Sequence, residues 1–164
     1  MSKDRPYTGT TDGVHLGKRP GTEKLVDLCK RRWGFTNLGT WVVRDMRGKP
    51  GQLSVHATGR AADIGYGTGK GARDKAIEAF NWFLQNATAL GIEEIHDYAF
   101  GKFGRGYRCS RATKDGGVIV YQNLASSAGT PGGTWLHVEL SPEMADDAAK
   151  FEAAWRAIPK PNKA

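Results

Sequence analysis

Apolar and polar residues alternate along residues 135–140, and this pattern predicts a β-strand, because successive side chains of a strand point to opposite faces. The apolar face is made of Leu136, Val138 and Leu140. The opposite face carries Trp135, His137 and Glu139. One face of this strand is therefore expected to lie in the core, and the other is expected to form a site.

A second stretch, residues 54–63, holds an imidazole and a carboxylate on either side of a glycine. Gly59, which lies between His56 and Asp63, can carry the chain through a tight turn and bring the two side chains to one point. After the turn, alternation predicts a strand in which Asp63 shares its face with Ala61 and Gly65. These small neighbours leave room for an ion.

An imidazole and a carboxylate that converge are typical ligands of zinc. A catalytic zinc site usually takes three nitrogen or oxygen ligands from the protein and keeps a fourth position for water. His56 and Asp63 supply two of these ligands, so a third must come from elsewhere in the chain. His137, on the polar face of the predicted strand 135–140, can supply it.

The pattern Ser-x-His-x-x-Gly-x-Ala-x-Asp, followed later by Trp-x-His, resembles that of the M15 zinc peptidases. This group contains D-Ala-D-Ala carboxypeptidases and L-alanyl-D-glutamate endopeptidases and shares its fold with the hedgehog signalling domain. The fixed positions of the first motif are filled by Ser54, His56, Gly59, Ala61 and Asp63. The resemblance spans roughly residues 41–140 and implies that His56, Asp63 and His137 bind zinc. It also implies hydrolysis of peptide bonds in peptidoglycan stem peptides, as in a phage lytic or virion-associated enzyme.

Periodicity elsewhere in the chain predicts further helices and strands. Helices are expected from Thr22 to a stop at Gly34, from Ala72 to Leu90, and from the N-cap Ser141 to Ile158. In the second helix, the face expected to be apolar holds Ile77, Phe80, Leu84 and Ala87. Strands are expected over residues 40–46, 92–99 and 118–122.

This order of elements predicts a single α+β domain. Short connections between the later strands favour antiparallel pairing, so we expect a mainly antiparallel sheet that carries the metal site, with flanking helices. The hedgehog/DD-peptidase fold that the resemblance implies agrees with this. We divide the chain into a polar N-terminal segment (residues 1–21), a zinc peptidase-like domain (residues 22–158) and a basic tail (residues 159–164).

The resemblance leaves the general base open. Many relatives carry a glutamate three residues before the last histidine, where this chain has Thr134, and others place an acid at the end of the preceding strand, where it has Tyr121 and Gln122. Glu139, on the same face as His137, remains as the candidate base. If Glu139 instead orients a ligand or lies at the surface, the protein would be a non-catalytic zinc-binding domain of the same fold.

Two further residues are candidates for the site. Related peptidases carry an arginine upstream of the motif that binds or polarises the substrate carbonyl, and Arg44 on the predicted strand 40–46 matches its position. The alternative for Arg44 is a surface arginine next to Asp45. His96, inside the predicted strand 92–99, is a candidate for a group that supports the ligands or shuttles a proton.

The formal net charge of +7 favours an anionic partner. Residues 100–115 interleave cations with aromatic residues, as in single-strand nucleic-acid binders, although a solvated cationic loop is the default interpretation. Nucleic acid and acidic cell-wall polymers both fit a basic protein. The zinc motif favours the wall, so the expected partner is peptidoglycan or another anionic wall polymer, and nucleic acid is not expected.

The cysteines and the N-terminus bear on where the protein acts. Cys29 and Cys109 are too few to form a cysteine-type zinc site, and we expect two free thiols. Residues 1–21 contain no apolar run suited to a secretory signal or a membrane span. We therefore expect synthesis in the cytoplasm without a signal peptide, and action at the cell wall after lysis-linked release or as a virion component.

Overall fold

The computed structural model describes residues 3–160, which contain four α-helices and eight β-strands. The helices are α1 (Pro20–Trp33), α2 (Ala72–Asn86), α3 (Pro142–Asp146) and α4 (Ala148–Ala157). The strands are β1 (Thr36–Gly39), β2 (Asp45–Met46), β3 (Lys49–Leu53), β4 (Ala61–Gly65), β5 (Ile92–Asp97), β6 (Arg105–Arg108), β7 (Val118–Val120) and β8 (Trp135–Leu140). Within these residues, no helix combines the length and the apolar character needed to cross a membrane.

Six of the strands form one sheet in the order β1-β4-β8-β5-β6-β7, and β2 pairs with β3 in a separate hairpin. Every pair in the large sheet is antiparallel. The strand predicted from alternation, β8, lies in the middle of the sheet between β4 and β5. The predicted class, a single α+β domain with a mainly antiparallel sheet and flanking helices, is confirmed.

The apolar face of β8 lies in the core, as its alternation predicts. Leu136, Val138 and Leu140 are fully buried there, together with Ile64 of β4 and Ile95 of β5. Helix α1 contacts β4, and α2 contacts β5 and β8, so helices cover this side of the sheet. Because one face of β8 is committed to the core, the alternation places its other residues on the opposite face.

The N-terminal segment is attached to the domain by buried charges. The guanidinium of Arg60, which is fully buried, donates from Nε to Asp12 Oδ2 over 2.9 Å. The hydroxyl of Thr8 donates to Glu93 Oε1 over 2.8 Å, and Arg60 also pairs with Glu93. A buried charge is tolerated only with such partners. Residues of the segment therefore complete the polar interior of the domain.

The strand predicted over residues 40–46 is wrong. Its β-branched and aromatic content is high, but β1 ends at Gly39, whose φ of 144° no other residue type readily adopts. Thr40 is buried, and its hydroxyl donates to Glu23 of α1. The amide of Val42 donates to the carbonyl of His56. These contacts draw the chain away from the sheet, and only Asp45–Met46 form a strand, in the hairpin.

The solvated cationic loop expected over residues 100–115 is also wrong in part, because it contains β6. Arg105 pairs with Asp97 over 3.1 Å, and Arg108 pairs with Glu94. Both partners lie on β5, next to β6 in the sheet. Carboxylates on the neighbouring strand thus neutralise these cations. The sequence of residues 100–115 alone could not predict these carboxylates, because they lie in another segment.

Several predicted ends and faces differ from the observed ones. Strands β5 and β7 end earlier than predicted, at Asp97 and Val120, and α2 ends at Asn86. Ile77, expected on the apolar face of α2, is 37% exposed. Ala76 and Ala79 are fully buried instead. Phe80 and Ala87 are buried as predicted, so the buried face is only partly displaced from the predicted one.

The single helix predicted from Ser141 to Ile158 is wrong, because it divides at Asp147. Asp147 has an extended backbone, and its Oδ1 accepts a hydrogen bond from the amide of Lys150 over 2.9 Å. It therefore ends α3 and caps α4. Aspartate competes for backbone hydrogen bonds in this way and favours N-caps over helix interiors.

Replacing Asp147 by alanine should lower the free energy of unfolding by about 1 kcal/mol, because the alanine cannot accept the hydrogen bond of the first turn of α4. Urea unfolding followed by circular dichroism measures this. Asp147→Asn is the matched control, because asparagine caps as well as aspartate does. If the alanine and asparagine variants were equally stable, the capping role would be excluded.

Candidate metal centre

Strands β4 and β8 bring two of the predicted ligands side by side. Asp63 and His137 are direct partners in the antiparallel register of these strands. Both project from the face opposite the core, because their neighbours Ala62, Ile64 and Leu136 are fully buried on the other side. The alternation in each strand therefore predicts the placement of its ligand.

The third predicted ligand lies in the short 3-10 helix Val55–Thr58, just before β4. Ser54 caps this helix, and its hydroxyl accepts from the amide of His56 over 3.3 Å. Gly59 ends it with a φ of 74° and turns the chain into β4. The turn expected at Gly59 is thus present, and it places His56 beside Asp63.

The three side chains converge on one point. His56 Nε2 lies 3.2 Å from Asp63 Oδ2, and His137 Nδ1 lies 2.9 Å from Asp63 Oδ1. One potential ligand atom from each residue lies within 4.8 Å of the others. Two imidazoles and one carboxylate are a donor set that zinc accepts at three-ligand sites. The group could therefore hold a metal ion, as the sequence predicts.

Glu139 contacts the group from the next position on the same face of β8. Its Oε1 lies 2.9 Å from His137 Nε2, and its Oε2 accepts a hydrogen bond from the Tyr7 hydroxyl over 2.8 Å. Glu139 is only 3% exposed. Both carboxylate oxygens are thus occupied, and one of them binds the ring nitrogen of His137 that does not face Asp63. Carboxylates commonly fix the ring orientation of metal-binding histidines in this way.

The charges in the group shift its pKa values. Burial acts to raise the pKa of Asp63, but hydrogen bonds from His137 and His56 outweigh burial and hold it well below its usual range. Burial acts to lower the pKa of His137, but the hydrogen bonds to Asp63 and Glu139 raise it to about 10. The two carboxylates therefore favour the protonated form of His137. Metal binding would compete with that proton, because only the neutral ring is a ligand.

His96 lies beside the group on the neighbouring strand β5. It is the register partner of His137, and the two ring centroids are 5.5 Å apart. Its Nε2 lies 2.8 Å from Glu94 Oε1, and its Nδ1 lies 3.0 Å from the Tyr121 hydroxyl. If Nε2–H donates to Glu94, then Nδ1 is the acceptor nitrogen of the ring. This tautomer satisfies both contacts.

Gly106 of β6 makes room for this arrangement. A Cβ atom at position 106 would lie 2.0 Å from the Tyr121 hydroxyl and 2.8 Å from His96 Nδ1. Any side chain there would displace Tyr121 from His96. A row of polar groups therefore extends across the face of the sheet, from Asp63 through His137 and His96 to Tyr121.

Two aromatic residues lie beside the group: Trp135, the first residue of β8, and Tyr98, which directly follows β5. Their rings lie 5.0 Å apart between centroids, and Tyr98 is 9% exposed. Burial raises the pKa of Tyr98 well above its usual value, and the negative charges of Asp63 and Glu139 raise it further. Tyr98 therefore stays protonated and presents a neutral, largely apolar wall beside the metal group.

Two other predicted residues do not join these contacts. Arg44 lies outside the strands, just before β2, and donates to the backbone carbonyl of Asp45 over 3.0 Å. Gln122 is exposed beyond the end of β7, and its amide donates to the carbonyl of Val120. Neither shares a described hydrogen bond with the metal group. The match of Arg44 to the family's arginine assumed that Arg44 lies on a strand. In the structure it does not.

Sequence reasoning missed two residues that contact this face, Tyr7 and Glu94. The spacing of Glu94 and His96 places both on one face of a strand, and that signal was available. Tyr7 carries no such signal, because it reaches Glu139 from a segment 132 residues earlier in the chain. Only the folded chain brings it to the site.

No family model, no curated protein and no solved structure matches this chain.

Proposed function

We propose that the protein is a zinc-dependent peptidase that hydrolyses peptide bonds in peptidoglycan stem peptides. The observation that carries the proposal is the convergence of His56, Asp63 and His137 on the face of the sheet opposite the core. Their spacing in the sequence resembles that of cell-wall zinc peptidases of the hedgehog/DD-peptidase fold. An antiparallel sheet that carries the group on its middle strands agrees with that resemblance.

Zinc fits the donor set better than the hard cations do. Two imidazole nitrogens and one carboxylate suit zinc, whereas magnesium and calcium prefer ligands made only of oxygen. When bound at such a site, zinc lowers the pKa of its water towards 7 and polarises the scissile carbonyl. His56, Asp63 and His137 would hold the ion, and the remaining residues of the face would position these ligands and move protons.

We assign the proton-accepting role to His96 and the positioning role to Glu139. Each oxygen of Glu139 has a protein partner, and the residue is buried. His96 contacts Glu94 through Nε2 and the Tyr121 hydroxyl through Nδ1, and donation from Nε2 to Glu94 makes Nδ1 the acceptor nitrogen. A carboxylate behind a histidine is the usual arrangement that orients a general base.

The substrate assignment rests on the resemblance and on charge. A formal net charge of +7 favours association with acidic polymers such as those of bacterial walls. Long-range attraction of this kind raises the rate of encounter with a polyanionic surface. In this proposal the protein reaches the wall after release at lysis or as part of a virion.

A second function, a non-catalytic zinc-binding domain, is favoured by one specific observation. Glu139, the carboxylate nearest to the predicted ligands on β8, is buried and is held by His137 and Tyr7. If His96 does not act as a base, the same face would bind zinc and hydrolyse nothing. The two functions share the metal and differ in turnover.

Zinc content and wall hydrolysis, measured on one preparation, test the proposal. The purified protein should hold about one zinc per chain, and chelation should lower its melting temperature, because an ion that binds only the folded state stabilises it. Incubation with purified peptidoglycan should release new amino or carboxyl termini. The release should stop on chelation and return with added zinc.

The same preparations separate the alternatives. Bound zinc with no release from walls of several chemotypes would leave the non-catalytic domain as the function. Protein that binds no zinc but retards single-stranded DNA in a salt-dependent manner would overturn both and favour a nucleic-acid partner.

A further inference from the structure

The N-terminal segment sends one side chain into the metal group. The Tyr7 hydroxyl donates to Glu139 Oε2 over 2.8 Å, and Glu139 Oε1 lies 2.9 Å from His137 Nε2. A chain of two hydrogen bonds thus joins residue 7 to a predicted ligand. Burial and the charge of Glu139 strongly raise the pKa of Tyr7, so its hydroxyl is a permanent donor in this chain.

Contacts on both sides of Tyr7 hold its ring in place. The guanidinium of Arg108 lies over the ring, 4.1 Å from its centroid. The amide of Thr8 donates to Glu93 Oε2 over 3.0 Å, and the amide of Arg5 donates to the carbonyl of Cys109 over 2.9 Å. Backbone hydrogen bonds thus fix the chain before and after Tyr7, and a cation–π contact fixes its ring.

We infer that Tyr7 is a positioning residue of the metal centre and acts on His137 through Glu139. This inference rests on the proposed zinc site but not on peptidase activity. The Tyr7 hydroxyl holds one oxygen of Glu139, so the other oxygen stays directed at His137 Nε2. The Nδ1 atom of that ring then faces Asp63, the neighbouring predicted ligand.

Burial explains why a tyrosine is needed here. Glu139 is 3% exposed, so water has little access to replace a lost donor. A buried carboxylate oxygen without a donor is costly, and the carboxylate would turn to relieve that cost. This movement weakens the hydrogen bond that orients His137. Loss of such outer partners typically lowers metal affinity by about 10-fold to 100-fold.

Tyr7→Phe tests the inference, because it removes the hydroxyl and keeps the ring under Arg108. Zinc dissociation constants, measured by competition with a chromogenic chelator, should rise by about 10-fold or more. The matched control is Tyr66→Phe, because the Tyr66 hydroxyl bonds to the carbonyl of Gly133 and makes no contact with Glu139. That variant should bind zinc as the wild type does.

A double-mutant cycle shows whether Tyr7 acts through Glu139. In a Glu139→Ala background, Tyr7→Phe should cause no further loss of zinc affinity, because the acceptor of its hydrogen bond is gone. The melting temperature of the metal-free proteins serves as a second readout. A purely structural tyrosine would lower that temperature and leave the zinc dissociation constant unchanged, which would overturn the inference.

The outcome is separable from the peptidase proposal. Wild-type protein that binds zinc but cleaves no peptidoglycan would end the peptidase proposal, while a weakened zinc affinity in Tyr7→Phe would still support this inference. Equal zinc affinity in the wild type and Tyr7→Phe would overturn it even in an active enzyme. A wild type that binds no zinc would end both.

Discussion

Replacing His137 by alanine is expected to abolish stable zinc retention and, with it, all zinc-dependent hydrolysis. His137 is one of three converging ligands, and its ring joins Asp63 to Glu139. Without it, two ligands remain, fewer than the three that zinc takes from the protein at catalytic sites. Metal analysis after dialysis should find about one zinc per wild-type chain and close to none in the variant. Alanine at His56 or Asp63 should have the same effect.

The matched control for these variants is His15→Ala. His15 is half-buried, and its Nδ1 lies 2.8 Å from the carbonyl of Gly17, outside the metal group. Its loss should leave the zinc content unchanged. If His137→Ala kept its zinc while Glu139→Ala lost it, then Glu139 would be the ligand, and the assignment of β8 would have to be revised.

The part of the site that the sequence predicts is the part that local periodicity controls. Alternation along β8 separates a core face from a polar face, and the structure confirms the core face and places His137 beside Asp63 on the other. Gly59 marks the turn that brings His56 to Asp63, because its backbone adopts a positive φ. In each case the information lies within a few neighbouring residues, so one sequence is enough.

The parts that the sequence did not predict depend on contacts between distant segments. Residues 40–44 have a composition typical of a strand. They form a loop instead, in which Thr40 donates a hydrogen bond to α1 and the amide of Val42 donates one to the carbonyl of His56. The arginines of β6 look solvated until β5 supplies carboxylates beside them. Tyr7 reaches the site from the N-terminal segment, which Asp12 and Thr8 connect to the buried Arg60 and Glu93. The local propensity of a segment does not depend on such distant partners, so it cannot predict these contacts.

The two expected free thiols are confirmed. Cys29 and Cys109 are both buried and unbridged. Burial strongly raises the pKa of the Cys29 thiol, which keeps it protonated and unreactive. Neither cysteine belongs to the group that could hold a metal ion, which offers only nitrogen and oxygen donors.

Substitution of His96 by glutamine is expected to leave zinc content unchanged and to lower turnover by about 10²-fold to 10⁴-fold, the usual contribution of a general base. Glutamine can still donate to Glu94, so the local structure should survive, but it cannot take up a proton. The measurement is the rate of release of new termini from peptidoglycan at saturating zinc, together with bound zinc on the same sample.

Glu139→Gln is the companion variant, and the two roles of Glu139 predict opposite results for it. If Glu139 positions His137, the variant should bind zinc about 10-fold to 100-fold more weakly and recover most of its turnover once zinc is saturating. If Glu139 is the base, as the sequence alone favoured, the variant should keep its zinc and lose turnover by about 10²-fold or more. Wild-type turnover in His96→Gln would remove His96 from the mechanism and return the role of base to Glu139. We expect the first pattern, because Glu139 is buried and already bonds to Tyr7 and His137, whereas the His96 ring is half-buried and is supported by Glu94.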